Sequence, residues 1–264
     1  MSGRMYSILS PRCLCATIVL CGAMAATAQA QTDTMVITPS NGSNNFLYNN
    51  SPASNFSGSQ LYYYDQRGST NDSARPLLQF QLDSNVPVGA TITNVQLQLK
   101  VETYTFINVN AGNATVPWPF SVYQMTTPWS ATASNWTAAT ATTNWASPGL
   151  LAGSDFNATP LDTQTISSAN VGSYVSWNIT SAYLAWLANP TSNYGVTILG
   201  PAGVANYTAA QGDTTDGVFT AYSTNYANTS FQPHLVVTYT VPGPGSLAGL
   251  CAAGMVFAGR RRNR

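Results

Sequence analysis

Aromatic side chains are the residues of this sequence best suited to binding, because the faces of Tyr and Trp rings stack on the C–H faces of sugar rings. Tyr62 and Tyr64 lie on one predicted strand, and a spacing of two places both side chains on the same face. Trp118 stands between two prolines, which we interpret as a loop. The pattern predicts a glycan-binding surface made of Tyr62, Tyr64 and Trp118. The alternative for part of the tyrosine set is the core, where we also place Trp129, Trp136, Trp177 and Trp186.

Groups that could carry out catalysis are sparse in this chain. His234 is the single histidine, and its place after Pro233 at the start of a predicted strand indicates an exposed structural residue rather than a catalytic base. No G-x-S-x-G motif occurs, which excludes an α/β-hydrolase. The nine acidic residues leave a glycosidase pair open, but most lie in predicted turns, where carboxylates shape loops. We therefore predict a protein that is not an enzyme.

One segment of the chain could hold a metal ion. Residues 211–217 offer the carboxylates of Asp213 and Asp216 together with carbonyl oxygens, which are ligands that calcium prefers. Their spacing is not that of an EF-hand, so a turn held by side-chain hydrogen bonds is the alternative. Zinc is not expected, because the body of the chain lacks clustered His and Cys. Calcium at Asp213 and Asp216 is thus the one cofactor that the sequence suggests.

The charged residues divide the chain into a body and two ends. Residues 31–240 contain only Arg67, Arg75 and Lys100 as cations and all nine acidic residues, so this body carries a net charge of −6. Such a body does not neutralise phosphates, which makes nucleic acid an unexpected partner. All four cysteines also lie outside the body, so no disulfide is expected within it. They are Cys13, Cys15, Cys21 and Cys251.

The first thirty residues have the pattern of a secretory signal peptide. Arg4 and Arg12 precede the apolar residues 13–22, and Ala28-Gln29-Ala30 provides small side chains where signal peptidase requires them. We predict cleavage after Ala30. A lipoprotein signal with Cys21 as the lipidated residue is the alternative, but Leu20 occupies the preceding position, where a small residue is expected.

Residues 241–264 combine a proline motif, an apolar stretch and terminal arginines. Pro242-Gly243-Pro244 is followed by thirteen apolar or small residues at 247–259 and then by four arginines. Thirteen residues are fewer than the roughly 17–25 that span a bilayer, so a frayed tail or a weak anchor is one interpretation. The order of the three parts resembles the PEP-CTERM sorting signals that exosortases process in bacteria. That resemblance implies export, a transient membrane tether and delivery to the cell surface or an exopolysaccharide matrix.

The pattern of apolar residues in the body of the chain, residues 31–240, predicts a single all-β domain. Residues 91–101, 77–82 and 234–240 alternate apolar and polar side chains with period two, with one phase slip between Ile92 and Val95. Shorter strands are predicted at 34–38, 60–64, 120–125, 172–177 and 195–199, and Gly, Pro and Asn separate them. Eight or more short strands favour a β-sandwich or jelly roll.

Two further segments of the body are less regular. A short helix is predicted from Thr180 as N-cap to a stop at Asn189-Pro190. Its buried face is expected to contain Ile179, Tyr183, Leu184 and Leu187. Residues 131–169 are rich in Ser and Thr with weak periodicity, and we expect long surface loops there.

The order of motifs in the body resembles the DNRLRE-type domain family, which is related to an alginate-recognising carbohydrate-binding module family. The pieces are Asp33, residues 74–82, 88–99, 122–129, 135–137, 177–180 leading to 193–195, and 233–239. At the family's Ser-Arg-Glu stretch this chain has Tyr222-Ser-Thr-Asn225, which puts a polyanion site built on that arginine in doubt.

These observations together lead to a functional expectation. We expect a secreted, non-catalytic protein of the bacterial cell surface or extracellular matrix that binds or embeds in extracellular polysaccharide. Signal peptidase and an exosortase-type enzyme are the expected processing partners. A purely structural surface protein without a glycan ligand is the alternative, and a polysaccharide lyase or glycosidase, which would need a cleft with converging Tyr, Arg or carboxylate groups, is a third.

Overall fold

A computed structural model describes residues 30–38, 43–59, 61–67, 72–82, 86–105, 107–108, 114–115, 117–200 and 215–242. Within these ranges, Ala30–Pro242 forms one compact unit. For some strand residues, such as 63–67 and 215–218, the structure describes the backbone but not the side chains. Ala28, which precedes the predicted cleavage point by three residues, and the motif residues Gly243 and Pro244 lie outside the described residues.

The described residues form thirteen strands, one α-helix and short 3-10 turns. The strands and the helix are, in chain order, β1 Gln31–Ile37, β2 Ser43–Tyr48, β3 Leu61–Arg67, β4 Asp72–Gln79, β5 Thr91–Tyr104, β6 Ile107–Asn108, β7 Ala114–Thr115, β8 Trp118–Gln124, β9 Asp162–Ile166, β10 Tyr174–Asn178, α1 Thr180–Ala188, β11 Val196–Leu199, β12 Thr215–Tyr222 and β13 His234–Val241. The 3-10 turns include Ser168–Asn170, Pro190–Ser192 and Thr229–Phe231.

The strands pair antiparallel throughout and build an all-β sandwich. The strand order is β1-β13-β5-β12-β3-β4-β11-β8-β9, with β10 also paired to β5 and β2 also paired to β4. This order of strands folds over on itself, so that the sheet around β5 packs against the sheet around β8 across the core. The indole N–H of Trp177 on β10 donates to the carbonyl of Phe120 on β8 at 2.9 Å and joins the two sides. The predicted fold class, an all-β sandwich in one domain with one helix, is confirmed.

Strand β5 is the centre of the sandwich, and its period-two pattern selects the buried face. Val95, Leu97, Leu99 and Val101 are fully buried, while the residues between them are half-buried. Pairing with β13 joins Asn94 to Thr238 and then Ile92 to Tyr239, which skips one residue of β5. The phase slip in the sequence therefore corresponds to a β-bulge, which bends β5 near its start.

Residues 126–161 form a second layer on the outer face of the sheet that contains β2, β4, β11 and β8. Outward-facing Leu47, Leu77, Tyr123 and Leu199 of those strands pack against apolar side chains of the segment. The segment contributes Ala139, Trp145, Leu150 and Phe156 to this second hydrophobic cluster. The prediction of long surface loops holds for residues 131–161, which form turns and bends without helix or strand, although their apolar side chains also cover the sheet. The apolar residues are separated by irregular turns and so leave no period in the sequence, and residues 162–166 form β9.

Helix α1 ends where the sequence predicted, and the expected burial of Ile179 and Tyr183 is confirmed, since they are 1% and 0% exposed. It spans Thr180–Ala188 and stops at Asn189, with Ile179 rather than Thr180 as the N-cap residue. Its buried residues are Ala182, Tyr183 and Trp186. The expected burial of Leu184 and Leu187 is wrong, since they are 43% and 39% exposed. Both faces of the helix are apolar, so the sequence could not select between them. In the described part of the chain no helix is both long and apolar enough to cross a membrane.

Candidate functional site

Tyr62, the first residue of the predicted glycan-binding surface, lies in the core. Its backbone pairs with Ala221 of β12, and its side chain is 1% exposed among Leu78, Phe219 and other buried residues. Burial raises the pKa of the Tyr62 hydroxyl, and the neighbouring Thr224 lowers it by less. Tyr62 therefore cannot stack on a glycan, because the ring has no surface that a ligand can reach. Tyr64 pairs with Phe219 through its backbone, and its side chain lies outside the described residues.

Trp118 is part of a strand rather than the loop that its flanking prolines suggested. It begins β8 and pairs with Ile166 of β9, and Pro119 pairs with Thr165. Proline is tolerated near the start of a strand, which explains why the two prolines misled the interpretation. The indole is half-buried and packs against the main core cluster. These contacts make Trp118 a boundary residue of the core, with only part of its surface open to solvent.

The structure describes only some of the remaining residues that the sequence predicted for binding or processing. Asp213 lies outside the described residues, and Asp216 is described only as a β12 backbone position opposite Arg67. Within the described ranges no group of three or more His, Cys, Asp or Glu could hold a metal ion. Ala30 is exposed immediately before β1, and Pro242 is exposed immediately after β13.

A surface cluster of aromatic rings lies where the chain passes from β12 to β13. Both strands pair with β5, and residues 223–233 between them leave the sheet. The ring centroids of Tyr222 and Tyr226 are 4.3 Å apart, and those of Tyr222 and Phe231 are 5.0 Å apart. Tyr226 and Phe231 are nearly parallel at 6.0 Å. All three rings are partly exposed. They present flat apolar faces next to polar loop groups.

A cation and a histidine extend this cluster along the outer face of the sheet. The Lys100 ammonium lies 3.5 Å from the centroid of Phe231 and 5.9 Å from that of Tyr174. Such contacts are cation–π interactions. Tyr174 meets the His234 ring edge-on at 4.9 Å. We call the whole set the aromatic patch; it consists of Tyr174, Tyr222, Tyr226, Phe231, Lys100 and His234.

Hydrogen bonds hold the reactive atoms of the aromatic patch. The Tyr174 hydroxyl donates to the carbonyl of Ser230, and His234 Nε2 lies 3.0 Å from the side-chain oxygen of Gln98. Burial raises the pKa of Tyr174. Burial also raises the pKa of Tyr222, with smaller contributions from Tyr226 and Glu102. The raised pKa keeps the phenols of Tyr174 and Tyr222 neutral, and neutral aromatic rings are suited to stacking.

Polar side chains fix the loop that carries the aromatic patch. The Ser223 hydroxyl donates to the carbonyl of Ser59 at 2.6 Å, and the Asn225 amide donates to the carbonyl of Ser57. Within the loop, the Gln232 amide donates to the carbonyl of Tyr226 at 2.9 Å. Here hydroxyl and amide groups anchor the loop to residues 57–59, so the patch sits on a fixed support.

Arg75, the other cation of the body whose side chain is described, contacts the second layer. Its guanidinium donates to the carbonyls of Gly149 and Leu150 and lies 5.1 Å from the centroid of Trp136. Burial lowers the pKa of Arg75 to about 10. Because Arg75 lies under residues 126–161, it does not join Lys100 at the aromatic patch. The side chain of Arg67 lies outside the described residues.

Sequence reasoning did not select the residues of the aromatic patch. Tyr222 was noted only as part of a departure from a family pattern, and His234 only as an exposed strand residue. The available signal was the density of aromatic residues, Tyr222, Tyr226 and Phe231, in a polar stretch. No protein-family model and no curated protein matches this chain.

Proposed function

We propose that this chain is an exported, non-catalytic protein of the bacterial cell surface or extracellular matrix, and that it binds polysaccharide through the aromatic patch. The observation that carries the proposal is the cluster of Tyr222, Tyr226 and Phe231, whose ring centroids lie within 6.0 Å of one another beside the Lys100 ammonium. Aromatic rings that are partly exposed on a loop anchored by hydrogen bonds provide contact area at little cost in conformational entropy.

The charges of the body favour a neutral glycan. A body charge of −6 repels polyanions at long range. Lys100 is engaged with Phe231, and Arg75 is engaged with backbone carbonyls in the second layer. Affinity then comes from stacking and from hydrogen bonds to sugar hydroxyls. Contacts of this kind are individually small, so we expect a dissociation constant near the millimolar range, about −4 kcal/mol.

The sequence signals support the cellular part of the proposal. The basic, apolar and Ala28-Gln29-Ala30 parts of the N-terminus favour secretion, and residues 241–264 favour a membrane tether that an exosortase-type enzyme removes. In this proposal the body remains at the cell surface or in the exopolysaccharide matrix. The resemblance to DNRLRE-type domains supports a carbohydrate ligand, and the missing arginine of the Ser-Arg-Glu stretch supports a neutral one.

The test is a titration of residues 31–240 with neutral and anionic oligosaccharides at low and moderate salt. We expect weak, salt-insensitive binding of a neutral oligosaccharide, reduced about five-fold or more by Tyr226→Ala or Phe231→Ala, since one aromatic contact contributes about 1 kcal/mol. Tyr194→Ala is the matched control. Tyr194 is a half-buried ring that packs against the second hydrophobic cluster, outside the patch.

Two outcomes would contradict the proposal. If no oligosaccharide binds, or if all three variants bind as the wild type does, the aromatic patch is not the binding surface and a purely structural role is favoured. If a polyuronate binds tightly and the affinity falls steeply with salt, charge rather than stacking drives recognition.

A further inference from the structure

Helix α1 is apolar on both faces, although only one face packs on the sandwich. Ala182, Tyr183 and Trp186 are buried, while Leu184 and Leu187 on the other face are 43% and 39% exposed. Helices that are apolar all round are normally enclosed by protein or lie in a membrane. Residues 180–200 contain no charged side chain. The exposed face of α1 therefore has the composition of a covered surface.

The position of α1 in the fold suggests what covers this face. The backbone N–H of Ile179 donates to the carbonyl of Val95, so α1 begins beside the first half of β5. The final residues of β13 pair with the start of β5, because Thr240 lies opposite Thr91. The body of the chain therefore ends on the same side of the sandwich as α1. We call this side, defined by α1, the turn at residues 86–90 and the last residues of β13, the α1 end.

The turn at residues 86–90 adds a second apolar feature to the α1 end. Val88 at its tip is fully exposed. Residues 84–99, which include this turn and the start of β5, also contain no charged side chain. Two chain segments without charge thus meet at the end from which residues 243–264 continue.

We propose that the α1 end rests on a lipid bilayer, with Leu184, Leu187 and Val88 at the boundary between headgroups and acyl chains. The inference rests on the proposed membrane tether at residues 247–259. Only four residues separate Pro242 from that apolar segment, and four extended residues reach at most about 14 Å. A tether this short holds the α1 end close to the membrane surface.

The physical basis is a weak contact made persistent by tethering. Partly exposed leucines bury little additional area, so the free body binds vesicles weakly. A short tether converts the contact into an intramolecular event with a high effective concentration. Residues 84–99 and 180–200 carry no charge, so Leu184, Leu187 and Val88 bring no ion of their own segments to the boundary. Asp162, which accepts from the Asn178 N–H beside the start of α1, and Asp33, opposite Tyr239, remain on the aqueous side of the headgroups in this arrangement. In this arrangement, release of the tether by proteolysis also releases the body from the bilayer.

The test measures the depth of single labels in vesicle-bound protein. Residues 30–264, which include the whole compact unit, are reconstituted in phosphatidylcholine vesicles with Cys251→Ser. A polarity-sensitive fluorophore is placed on Leu184→Cys or Leu187→Cys. Val171→Cys is the matched control, because Val171 is 44% exposed and its neighbour Gly172 bonds to Val101, six residues farther along β5 than Val95. Equal melting temperatures of the variants establish that the fold is intact.

We expect nitroxide-bearing lipids to quench the labels at 184 and 187, and aqueous iodide to quench the label at 171 several-fold more strongly than these two. Equal iodide quenching at all three sites would overturn the inference. A label on native Cys251 reports the tether separately. If Cys251 is in the bilayer and residue 184 is in water, only this inference fails, whereas a Cys251 label in water contradicts the tether and the inference together. Protection of residue 184 without vesicles identifies a second copy or the tail as the occupant and also overturns the lipid contact.

Discussion

Asp155 is buried at the centre of the segment 126–161, where its carboxylate organises the backbone. It accepts hydrogen bonds from the backbone N–H groups of Ala146 at 3.1 Å and Leu151 at 2.8 Å, and from the Thr127 hydroxyl at 3.2 Å. The sequence interpretation that sparse acids shape loops is confirmed at this residue. A carboxylate is suited to this role because both oxygens accept and neither donates.

Asp155→Asn should destabilise the protein by about 2–3 kcal/mol, because the amide places a donor against backbone N–H groups and leaves one of them unsatisfied. Chemical denaturation measures this loss. Asp33→Asn is the matched control: Asp33 is exposed and accepts only from the N–H of Thr34, which an amide oxygen can also do. An equal loss in both variants would mean that charge, rather than hydrogen-bond geometry, is what Asp155 contributes.

At the scale of elements, the docking of residues 126–161 depends on one close approach. Gly149 has φ of +79°, and a Cβ atom there would lie 2.3 Å from the Trp136 ring. The Trp136 ring also lies 5.1 Å from the Arg75 guanidinium, which donates to the Gly149 carbonyl. The segment thus joins β4 through a glycine, a tryptophan and an arginine that fit together.

Gly149→Ala should therefore lower stability by about 3 kcal/mol or more, since it adds a steric clash to the cost of about 1–2 kcal/mol for a left-handed non-glycine residue. The control is Gly153→Ala, where φ is +80° and no heavy atom lies within 4 Å of the added Cβ. Comparison of the two unfolding curves isolates the clash. If the two variants lose equal stability, the Trp136 ring moves aside freely, and the segment is not held by this contact.

At the scale of the whole molecule, the core of the described residues includes five buried tyrosines, Tyr62, Tyr104, Tyr123, Tyr183 and Tyr239. Burial raises the pKa of Tyr62, Tyr104 and Tyr123. In the unfolded chain these phenols ionise near pH 10, whereas in the fold they keep their protons to higher pH. The folded state therefore binds more protons above pH 10, and stability falls as the pH rises through that range.

We expect the melting temperature to be unaffected by these groups below about pH 9 and to decline between pH 10 and 12. Tyr62→Phe should reduce the slope of that decline, because one titrating hydroxyl is removed. Arg75 acts in the opposite direction, since its pKa is lowered to about 10 and the unfolded chain then holds the extra proton. Tyrosinate absorbance checks the cause: ionisation of every tyrosine near pH 10 without unfolding would contradict the argument.

Much of the fold followed from local pattern. The alternation of β5 predicted its buried face, and its phase slip marked the bulge opposite Thr238 and Tyr239. The stop at Asn189-Pro190 placed the end of α1. These features are properties of short stretches of chain, in which the spacing of apolar residues and the backbone limits of proline act directly. The second layer at 126–161 left no such period.

The sequence by itself determined the strands with period-two alternation, the end of α1, the low charge of the body and its richness in aromatic rings. Tertiary structure alone decided which rings are exposed. Tyr62 pairs into the core, Trp118 joins a strand, and Tyr222, Tyr226 and Phe231 converge beside Lys100 from three separate positions. The physical reason is that burial depends on which strands pair and which face the bulges turn inward, and these contacts join residues that are far apart in the sequence.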